Sequence, residues 1–282
     1  MNLWKNFLLR LVVLGILFSA NVFIWSAQAS EKPLTVAFLD IGQGDAIFIE
    51  APNGNQMLID GGRGKEVLRE LGKVMDLGDR SIDIVLATHP DADHIGGLQA
   101  VFERFDVGMF IEPGAVSDTK IFGALKVAVN DEGLESTIAR RGMNITLDEG
   151  VNFLILFPDR DASRMESNEA SIVGRLSYGD SSFLLTGDAP ISTEHVLLSY
   201  KDSLGSDVLK AGHHGSRTST SPAFVNVVSP TYAVISAGKD NSYGHPHKEV
   251  LDRLMEAGIS ILSTIEKGTI IFEVSHTEIT PK

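Results

Sequence analysis

From residue 34 onward, short runs of β-branched and other apolar residues alternate with longer stretches of helical periodicity. The runs predict strands at residues 34–40, 45–50, 56–60, 82–87, 151–157, 171–178, 182–186, 208–211, 231–236, 259–264 and 269–274. The periodic stretches predict helices at residues 65–75, 97–105, 120–129, 192–200 and 248–257. Turn residues at Pro52-Asn53-Gly54 and Gly179-Asp180 predict two hairpins. Strands dominate both halves, which favours an α/β fold with two packed sheets and helices on their outer faces.

The composition agrees with one folded domain. The chain has 282 residues, of which 43% are hydrophobic and 22% charged, as in a compact globular protein. No linker rich in Pro, Gly or Ser separates the halves, and no internal repeat is visible. We therefore predict a single domain over residues 30–282.

The first 29 residues have the pattern of an export signal. Lys5 and Arg10 precede an apolar run over residues 11–25, and Ser26-Ala27-Gln28-Ala29 offers small residues for a signal peptidase. An uncleaved N-terminal membrane anchor is the alternative, but Arg10 and Asn21 interrupt the longer apolar stretch that an anchor needs. Both interpretations predict an extracytoplasmic domain: secreted, periplasmic or membrane-anchored.

Charge and cysteine content narrow the chemistry. There is no Cys, so disulfides and thiolate metal ligands are excluded. The formal charge is −13, and loss of the two basic residues of the signal would make it −15. Such acidity argues against nonspecific binding to a nucleic-acid backbone, which normally requires a basic surface. Bound divalent cations would offset part of it.

Four potential metal ligands directly follow the predicted strand 82–87: His89, Asp91, Asp93 and His94. In an extended backbone the first three would point the same way, and a turn before Gly96-Gly97 would bring His94 to them. A polar loop is the alternative, because Pro90 and Asp are ordinary turn residues. Two His flanking two Asp beside an apolar strand favour a metal site.

Three other predicted strands end in a potential ligand next to a glycine. The residues are Asp60, Asp188 and the pair His213 and His214. Each Gly-Asp alone is typical of a turn. Together with residues 88–94, here called the metal loop, they predict a site along one edge of the sandwich, where loops are held by rigid elements.

These ligands occur in the order found in the metallo-β-lactamase superfamily, which the chain resembles. Four further motifs resemble the extracellular hydrolase domain of the ComEC/Rec2 DNA-uptake proteins: Leu39-Asp40-Ile41-Gly42-Gln43-Gly44-Asp45-Ala46, Ser167-Asn168-Glu169-Ala170-Ser171, Lys210-Ala211-Gly212-His213-His214-Gly215-Ser216 and Tyr243-Gly244-His245-Pro246. The resemblance covers residues 34–274. It implies the αβ/βα four-layer sandwich, with two mixed β-sheets packed face to face.

Two departures from the broader family affect the expected metal. The family's usual loop is His-x-His-x-Asp-His, and Asp91 stands where its second His would be. A further His normally precedes the position of Asp188, but none occurs over residues 95–187. We therefore expect one firmly held divalent ion at Asp93, His94, Asp188 and either His213 or His214, with a weaker one at His89 and Asp91. Oxygen-rich ligands favour Mn²⁺ or Mg²⁺, with Zn²⁺ as the alternative.

Substrate contacts are predicted beside this site. Residues 215–221 offer hydroxyls, a guanidinium and backbone N–H groups that suit phosphate oxygens, with Ser216 and Arg217 the main candidates. A plain surface loop with a helix cap at Ser221-Pro222 is the alternative. The resemblance adds Asn168, Ser171 and Lys210 to the substrate-binding candidates. The catalytic candidates are Asp60, which would orient the water or a ligand, Asp93, and His245 as proton donor or phosphate ligand.

The leading hypothesis is an exported metal-dependent hydrolase, a phosphodiesterase or nuclease acting on DNA during uptake. Hydrolysis of another envelope phosphoester or of a β-lactam is the second hypothesis, and a noncatalytic binding domain that keeps the fold is the third. Because only one apolar segment is visible, at the N-terminus, membrane contact is expected there alone, with a separate membrane channel as a potential partner.

Overall fold

Strand β1 (Leu34–Phe38) is buried on both of its faces. Val36 and Phe38 lie in one hydrophobic cluster, whereas Ala37 lies in another, because successive side chains of a strand point to opposite faces. Both faces of the sheet around β1 are therefore covered, as an apolar run without strict polar alternation predicts.

The computed structural model describes Trp4, residues 32–275 and residues 278–282, without the side chains of residues 201–203. Apart from Trp4, the predicted signal or anchor over residues 1–29 lies outside the described residues. Residues Pro33–Lys282 form one compact unit. Within the described ranges, no helix combines the length and apolar character needed to cross a bilayer.

The strands after β1 are, in chain order, β2 (Ile47–Glu50), β3 (Gln56–Ile59), β4 (Ser81–Leu86), β5 (Asp106–Glu112), β6 (Ser136–Ile138), β7 (Asn144–Asp148), β8 (Val151–Phe157), β9 (Val173–Tyr178), β10 (Ser181–Leu185), β11 (Val208–Lys210), β12 (Tyr232–Ile235), β13 (Ser260–Ser263), β14 (Ile270–Val274) and β15 (Ile279–Pro281). The α-helices are α1 (Glu66–Val74), α2 (Ala92–Ile95), α3 (Leu98–Phe102), α4 (Lys120–Asp131), α5 (Ile191–Leu197), α6 (Pro222–Val228), α7 (Lys248–Glu256) and α8 (Thr264–Lys267). Short 3₁₀ helices occur at Asn168–Ala170, Leu198–Ser203 and Gly212–Gly215.

The strands form two mixed sheets. One has the order β15-β14-β1-β2-β3-β4-β5-β6, and the other has the order β13-β12-β11-β10-β9-β8-β7. In the first sheet β3 to β6 run parallel, and in the second β10 to β13 run parallel. Each sheet therefore has one half whose strands end at the same edge, which is where loops can combine into a site.

Helices cover the outer face of each sheet. One hydrophobic cluster lies between the sheets and includes Phe38, Phe183 and Phe272. A second cluster joins the first sheet to α1, α3 and α4, and two others join the second sheet to α5, α6 and α7. The predicted four-layer α/β sandwich is confirmed.

Most predicted elements agree with the structure to within a few residues at their ends. The two hairpins connect β2 to β3 and β9 to β10. The last two predicted strands, β13 and β14, are consecutive in sequence but lie in different sheets. Helix α8 and strand β15 were not expected, because each is too short to show a period.

Candidate metal centre

The carboxyl ends of parallel strands from both sheets lie at one site. Strand β3 is followed by Asp60, and β4 by Thr88 and His89. In the second sheet, Asp188 follows β10, and His213 and His214 follow β11. The predicted ligands therefore meet because four parallel strands end at the same edge.

The metal loop is not extended as predicted. Asp91 occupies the N-cap position of helix α2 without a side-chain capping hydrogen bond, and Asp93 and His94 lie in the single turn of that helix. The prediction that alternation places three side chains on one side is wrong, because the chain turns into a helix directly after Asp91. His94 reaches the site from the helix, with its imidazole fully buried.

Four buried side chains form a group able to hold a metal ion: Asp45, His94, Asp188 and His214. One potential ligand atom from each lies within 4.8 Å of the others. Asp188 is central, with Oδ1 3.3 Å from His94 Nε2 and Oδ2 3.3 Å from His214 Nε2. Two carboxylates and two imidazoles thus face one another without an apolar side chain between them.

Hydrogen bonds fix how the histidines point. His94 Nδ1 donates to Asp60 Oδ2 at 2.8 Å, and His214 Nδ1 donates to the Ser236 carbonyl oxygen at 3.0 Å. His89 Nδ1 lies 3.0 Å from the Thr88 hydroxyl, which itself donates to Asp60. In each case Nδ1 carries the hydrogen, so the lone pair of a neutral ring is on Nε2.

The three Nε2 atoms have no hydrogen-bond partner although they are buried, and neither has Asp188 Oδ1. Buried polar atoms are rarely left without a partner. Histidine ligands of metals typically show this arrangement, with the second ring nitrogen bound to a carboxylate or carbonyl. The residues therefore fit a divalent metal ion.

Asp60 is held in an unusual conformation for this role. Its φ of 60° lies in the left-handed region, and its carboxylate accepts hydrogen bonds from the backbone N–H and the hydroxyl of Thr88, both at 2.7 Å. Asp60 is fully buried. It can orient His94, but it has no surface with which to contact a substrate.

Without a metal ion, the histidines of the site lie next to carboxylates of opposite charge. Burial disfavours the cationic form of His94, but Asp188 and Asp60 outweigh burial and raise its pKa well above the ordinary value. Burial opposes charge on His214 too, and Asp188 and Asp45 raise its pKa well above the ordinary value. Burial disfavours the carboxylate of Asp188, but His214 and His94 hold its pKa well below its usual range.

His89 differs from the other two buried histidines. Burial, with repulsion from His94, lowers its pKa well below the ordinary value, so the ring is neutral. Its ring lies against that of His94, with centroids 4.1 Å apart. Its predicted partner Asp91 lies at the edge of the site, with 44% of its side chain exposed and Oδ2 3.7 Å from His89 Nε2.

Asp93 is close to the buried group but is not one of its four members. Its Oδ2 lies 3.5 Å from His214 Nε2, and its side chain is 18% exposed. Burial disfavours its carboxylate, but the nearby imidazoles of His214 and His94 lower its pKa below the usual range. Asp93 therefore lies where the buried group opens toward solvent.

The paired histidines have different surroundings. His214 is buried, whereas His213 is 27% exposed and its Nε2 lies 3.8 Å from Asp188 Oδ2. Both have φ near +50°, and Gly215 continues the left-handed turn at 80°. This turn directs the two rings to different depths in the site.

A rim of polar residues surrounds His213. His245 lies against it, with centroids 5.4 Å apart, and burial together with repulsion from His213 and His214 lowers the pKa of His245 to about 4. His213 Nδ1 also lies 3.2 Å from the Thr218 hydroxyl. Arg217, between Ser216 and Thr218, is exposed. Without a metal ion, the ring of His245 is therefore uncharged at neutral pH.

The remaining predicted substrate contacts lie deeper. Ser171 is buried, with its hydroxyl accepting from the Asp188 backbone N–H at 3.2 Å and lying 3.4 Å from His89 Nδ1. Asn168 lies in the preceding 3₁₀ helix, and its Oδ1 is buried without a hydrogen-bond partner. Lys210 is fully buried and paired with Asp45.

Asp45 was not among the predicted ligands, and the segment Gly42-Gln43-Gly44-Asp45 has the residue types of an ordinary turn. Both glycines have positive φ, and a Cβ at Gly44 would lie 2.0 Å from the Asp93 carbonyl oxygen. Because Gly44 has no side chain, the loop before β2 can pack closely against helix α2. The sequence signal was a Gly-x-Gly-Asp segment entering an apolar strand.

Comparisons with known proteins agree with this architecture. The family model described as the metallo-beta-lactamase superfamily matches residues 39–239. The solved metallo-beta-lactamase fold protein YhfI from Bacillus subtilis has a TM-score of 0.51 and 12% identity, covering 81% of this chain and 95% of that one. At such identity the likeness shows the fold alone.

Two curated relatives are more similar in sequence. The "ComE operon protein 3" of Bacillus subtilis is 33% identical over 273 residues, which are 90% of this chain and 34% of that protein. The "Competence protein ComA" of Neisseria gonorrhoeae is 33% identical over 246 residues, which are 86% of this chain and 32% of that protein. The chain thus spans about a third of the length of these relatives.

Proposed function

This chain belongs to the metallo-β-lactamase superfamily, and from that premise we propose that it is an extracytoplasmic, metal-dependent phosphodiesterase that cleaves DNA. The observation that carries the proposal is the set of three buried Nε2 atoms without hydrogen-bond partners, from His89, His94 and His214. Those of His94 and His214 face the carboxylate of Asp188. If these residues bound no ligand, burial of the three nitrogens without hydrogen bonds would only lower the stability of the fold.

The metal would be held by Asp45, His94, Asp188 and His214. A bound divalent ion lowers the pKa of coordinated water and neutralises charge that builds on a phosphoryl oxygen. With carboxylates supplying half of the ligands, we propose Mn²⁺ or Mg²⁺ rather than Zn²⁺. Asp93 and His89, next to this group, would complete the site or hold a weaker second ion.

We propose that residues 213–218 guide a phosphate from solvent to the metal. Arg217 is exposed and offers a bidentate guanidinium, and its backbone N–H is fixed by His247 Nδ1 at 3.3 Å. Thr218 links this loop to His213, which points toward Asp188. His213 and His245 would then contact the phosphate oxygens or accept a proton next to the metal.

DNA is the proposed substrate for two reasons. The phosphate-binding groups of the loop suit a phosphodiester, and the related proteins are named for competence or for the ComE operon. Those relatives are about three times as long as this chain, so a role in DNA uptake, with a separate membrane channel as partner, is part of the proposal. The predicted export signal agrees with a domain that meets DNA outside the cytoplasm.

A substrate panel tests the proposal. The full chain would be incubated with single-stranded DNA, duplex DNA, RNA, bis(p-nitrophenyl) phosphate and nitrocefin, each with Mn²⁺, Mg²⁺ or Zn²⁺. We expect Mn²⁺-dependent cleavage of DNA by the wild type and at least about 10³-fold less by Asp188→Asn. Asp252→Asn, an exposed carboxylate paired with Lys248, is the control and should leave the rate unchanged.

The outcome of the panel also separates the alternatives. Cleavage of the small phosphodiester without cleavage of any nucleic acid would favour another phosphoester as substrate. Metal binding with no hydrolysis of any substrate would favour a noncatalytic domain, and hydrolysis of nitrocefin alone would favour a β-lactamase.

A further inference from the structure

Lys210 is a buried cation inside the proposed metal centre. It ends strand β11, and its side chain has no exposed area. Lysine is almost never fully buried unless it is paired. Its Nζ donates to the Gly187 carbonyl oxygen at 2.8 Å, pairs with Asp45 Oδ2 and lies 3.5 Å from Asp188 Oδ1.

Both carboxylates that Lys210 contacts belong to the group of four proposed ligands. An ammonium group that binds a carboxylate occupies one of its lone pairs and repels a nearby divalent cation. Beside the imidazoles of His94 and His214, the Asp45 carboxylate can therefore pair with either of two cations, the ammonium group of Lys210 or a metal ion from solution.

The position of Lys210 also argues against direct contact with substrate. Gly187, Asp45 and Asp188 already surround its Nζ, and a phosphate could reach it only by displacing one of these carboxylates. The sequence resemblance counted Lys210 among the substrate-binding residues, but its surroundings give it a different task.

We propose that Lys210 is a built-in counter-ion of the metal centre, which neutralises Asp45 when no metal is bound and weakens the binding of a divalent ion there. The inference rests on the metal site of the proposed function. In the metal-free protein, Lys210 lets Asp45 remain buried and charged at the position that a metal ligand needs. Its charge also weakens metal binding, because the ion must share the carboxylates with an ammonium group.

The test compares Lys210→Met with wild type in two measurements other than activity. Thermal unfolding of the metal-free proteins should show a loss of about 10 °C in the variant, since Asp45 loses its ammonium partner and keeps only the more distant imidazoles of His214 and His94. Calorimetric titration with Mn²⁺ should show binding at least about tenfold tighter in the variant. Lys126→Met is the matched control, because Lys126 pairs with Glu112 outside the group of four, and its Mn²⁺ affinity should equal that of wild type.

Unchanged or weaker Mn²⁺ binding by Lys210→Met would overturn the inference. If wild type itself binds no divalent ion, the proposed metal site fails and the inference fails with it. If Lys210→Met folds only when Mn²⁺ is present, the counter-ion role is supported.

If Lys210→Met does not fold under either condition, the double variant Asp45→Asn/Lys210→Met decides. Removal of both charges should restore a folded metal-free protein with weaker Mn²⁺ binding than wild type. Failure of the double variant to fold would overturn the charge-pair account.

Discussion

The carboxylate of Asp60 accepts a hydrogen bond from His94 Nδ1 at 2.8 Å and thereby directs His94 Nε2 toward Asp188. Asp60 comes from the end of β3 and His94 from helix α2 after β4. A buried carboxylate that never meets the substrate therefore sets which nitrogen of the ring is free to bind a metal.

Replacing Asp60 by Asn should weaken metal binding without removing a ligand. The amide N–H₂ can donate to His94 Nδ1 and place the ring hydrogen on Nε2, where it blocks coordination. We expect Mn²⁺ affinity to fall about 10- to 100-fold in calorimetric titration. An affinity within about twofold of wild type would contradict the orienting role.

The two neighbouring histidines should have separable roles. His214→Ala removes a buried member of the ligand group and should abolish tight Mn²⁺ binding. His213→Ala, at the exposed side, should retain Mn²⁺ binding and lower the rate of DNA cleavage about 10²-fold or more. If only His213→Ala lost Mn²⁺ binding, His213 rather than His214 would be the metal ligand.

The stability of the metal-free protein should fall as the pH rises above about 7. The pKa values of His94 and His214 are raised in the folded state, so they contribute stability below the unfolded histidine pKa of about 6.5 and lose it as the pH rises through the folded pKa values. The lowered pKa of His89 affects stability only below about pH 6.5, where an unfolded histidine binds a proton that folded His89 does not.

Thermal unfolding at pH 7 and pH 9 measures this effect. The metal-free protein should have the lower Tm at pH 9, whereas Mn²⁺-loaded protein should lose less, because the metal replaces the two protons. A metal-free Tm that is equal or higher at pH 9 would show that these histidines are not cationic.

Arg217 should contribute to DNA binding but not to metal binding. We expect Arg217→Ala to weaken binding to single-stranded DNA about 5- to 30-fold for all sequences and to lower the salt dependence by about one phosphate contact. Fluorescence anisotropy across a salt series measures both. Arg69→Ala, at an arginine on helix α1 that is also exposed, serves as the control and should bind DNA as wild type does.

Phe272 should matter for stability alone. Its ring lies between the sheets, with centroids 6.1 Å from Phe38, 5.5 Å from Phe183 and 5.8 Å from Tyr232. Phe272→Ala should cost about 3–5 kcal/mol in urea unfolding and leave Mn²⁺ affinity unchanged. A cost below about 1 kcal/mol would mean that the contact between the sheets is looser than the structure shows.

The fold could be predicted because its strands carry strong local signals. Runs such as residues 82–87 and 208–211 are apolar apart from Asp83 and Lys210, because most of the two sheets is covered on both faces. The placement of β14 beside β1, in a different sheet from β13, depends on contacts between residues more than 200 positions apart. Local pattern carries no such information.

The site was predictable where a ligand follows a strong strand, as Asp188 and His214 do. It was less predictable at Asp45, which enters the group because Gly44 allows a close approach to Asp93. The role of Lys210 could not be read from sequence, since burial of a lysine depends on partners from other strands. The short helix α2 was missed because four residues are too few to show a helical period.

We propose that one buried site, built on Asp188 and His214, holds a divalent ion needed to cleave DNA. The most direct measurement follows Mn²⁺ occupancy and the rate of DNA cleavage in the same titration. We predict that the rate rises in proportion to the filling of a single site and that His214→Ala abolishes both. Full occupancy of that site by Mn²⁺ without cleavage of single-stranded or duplex DNA would contradict the account.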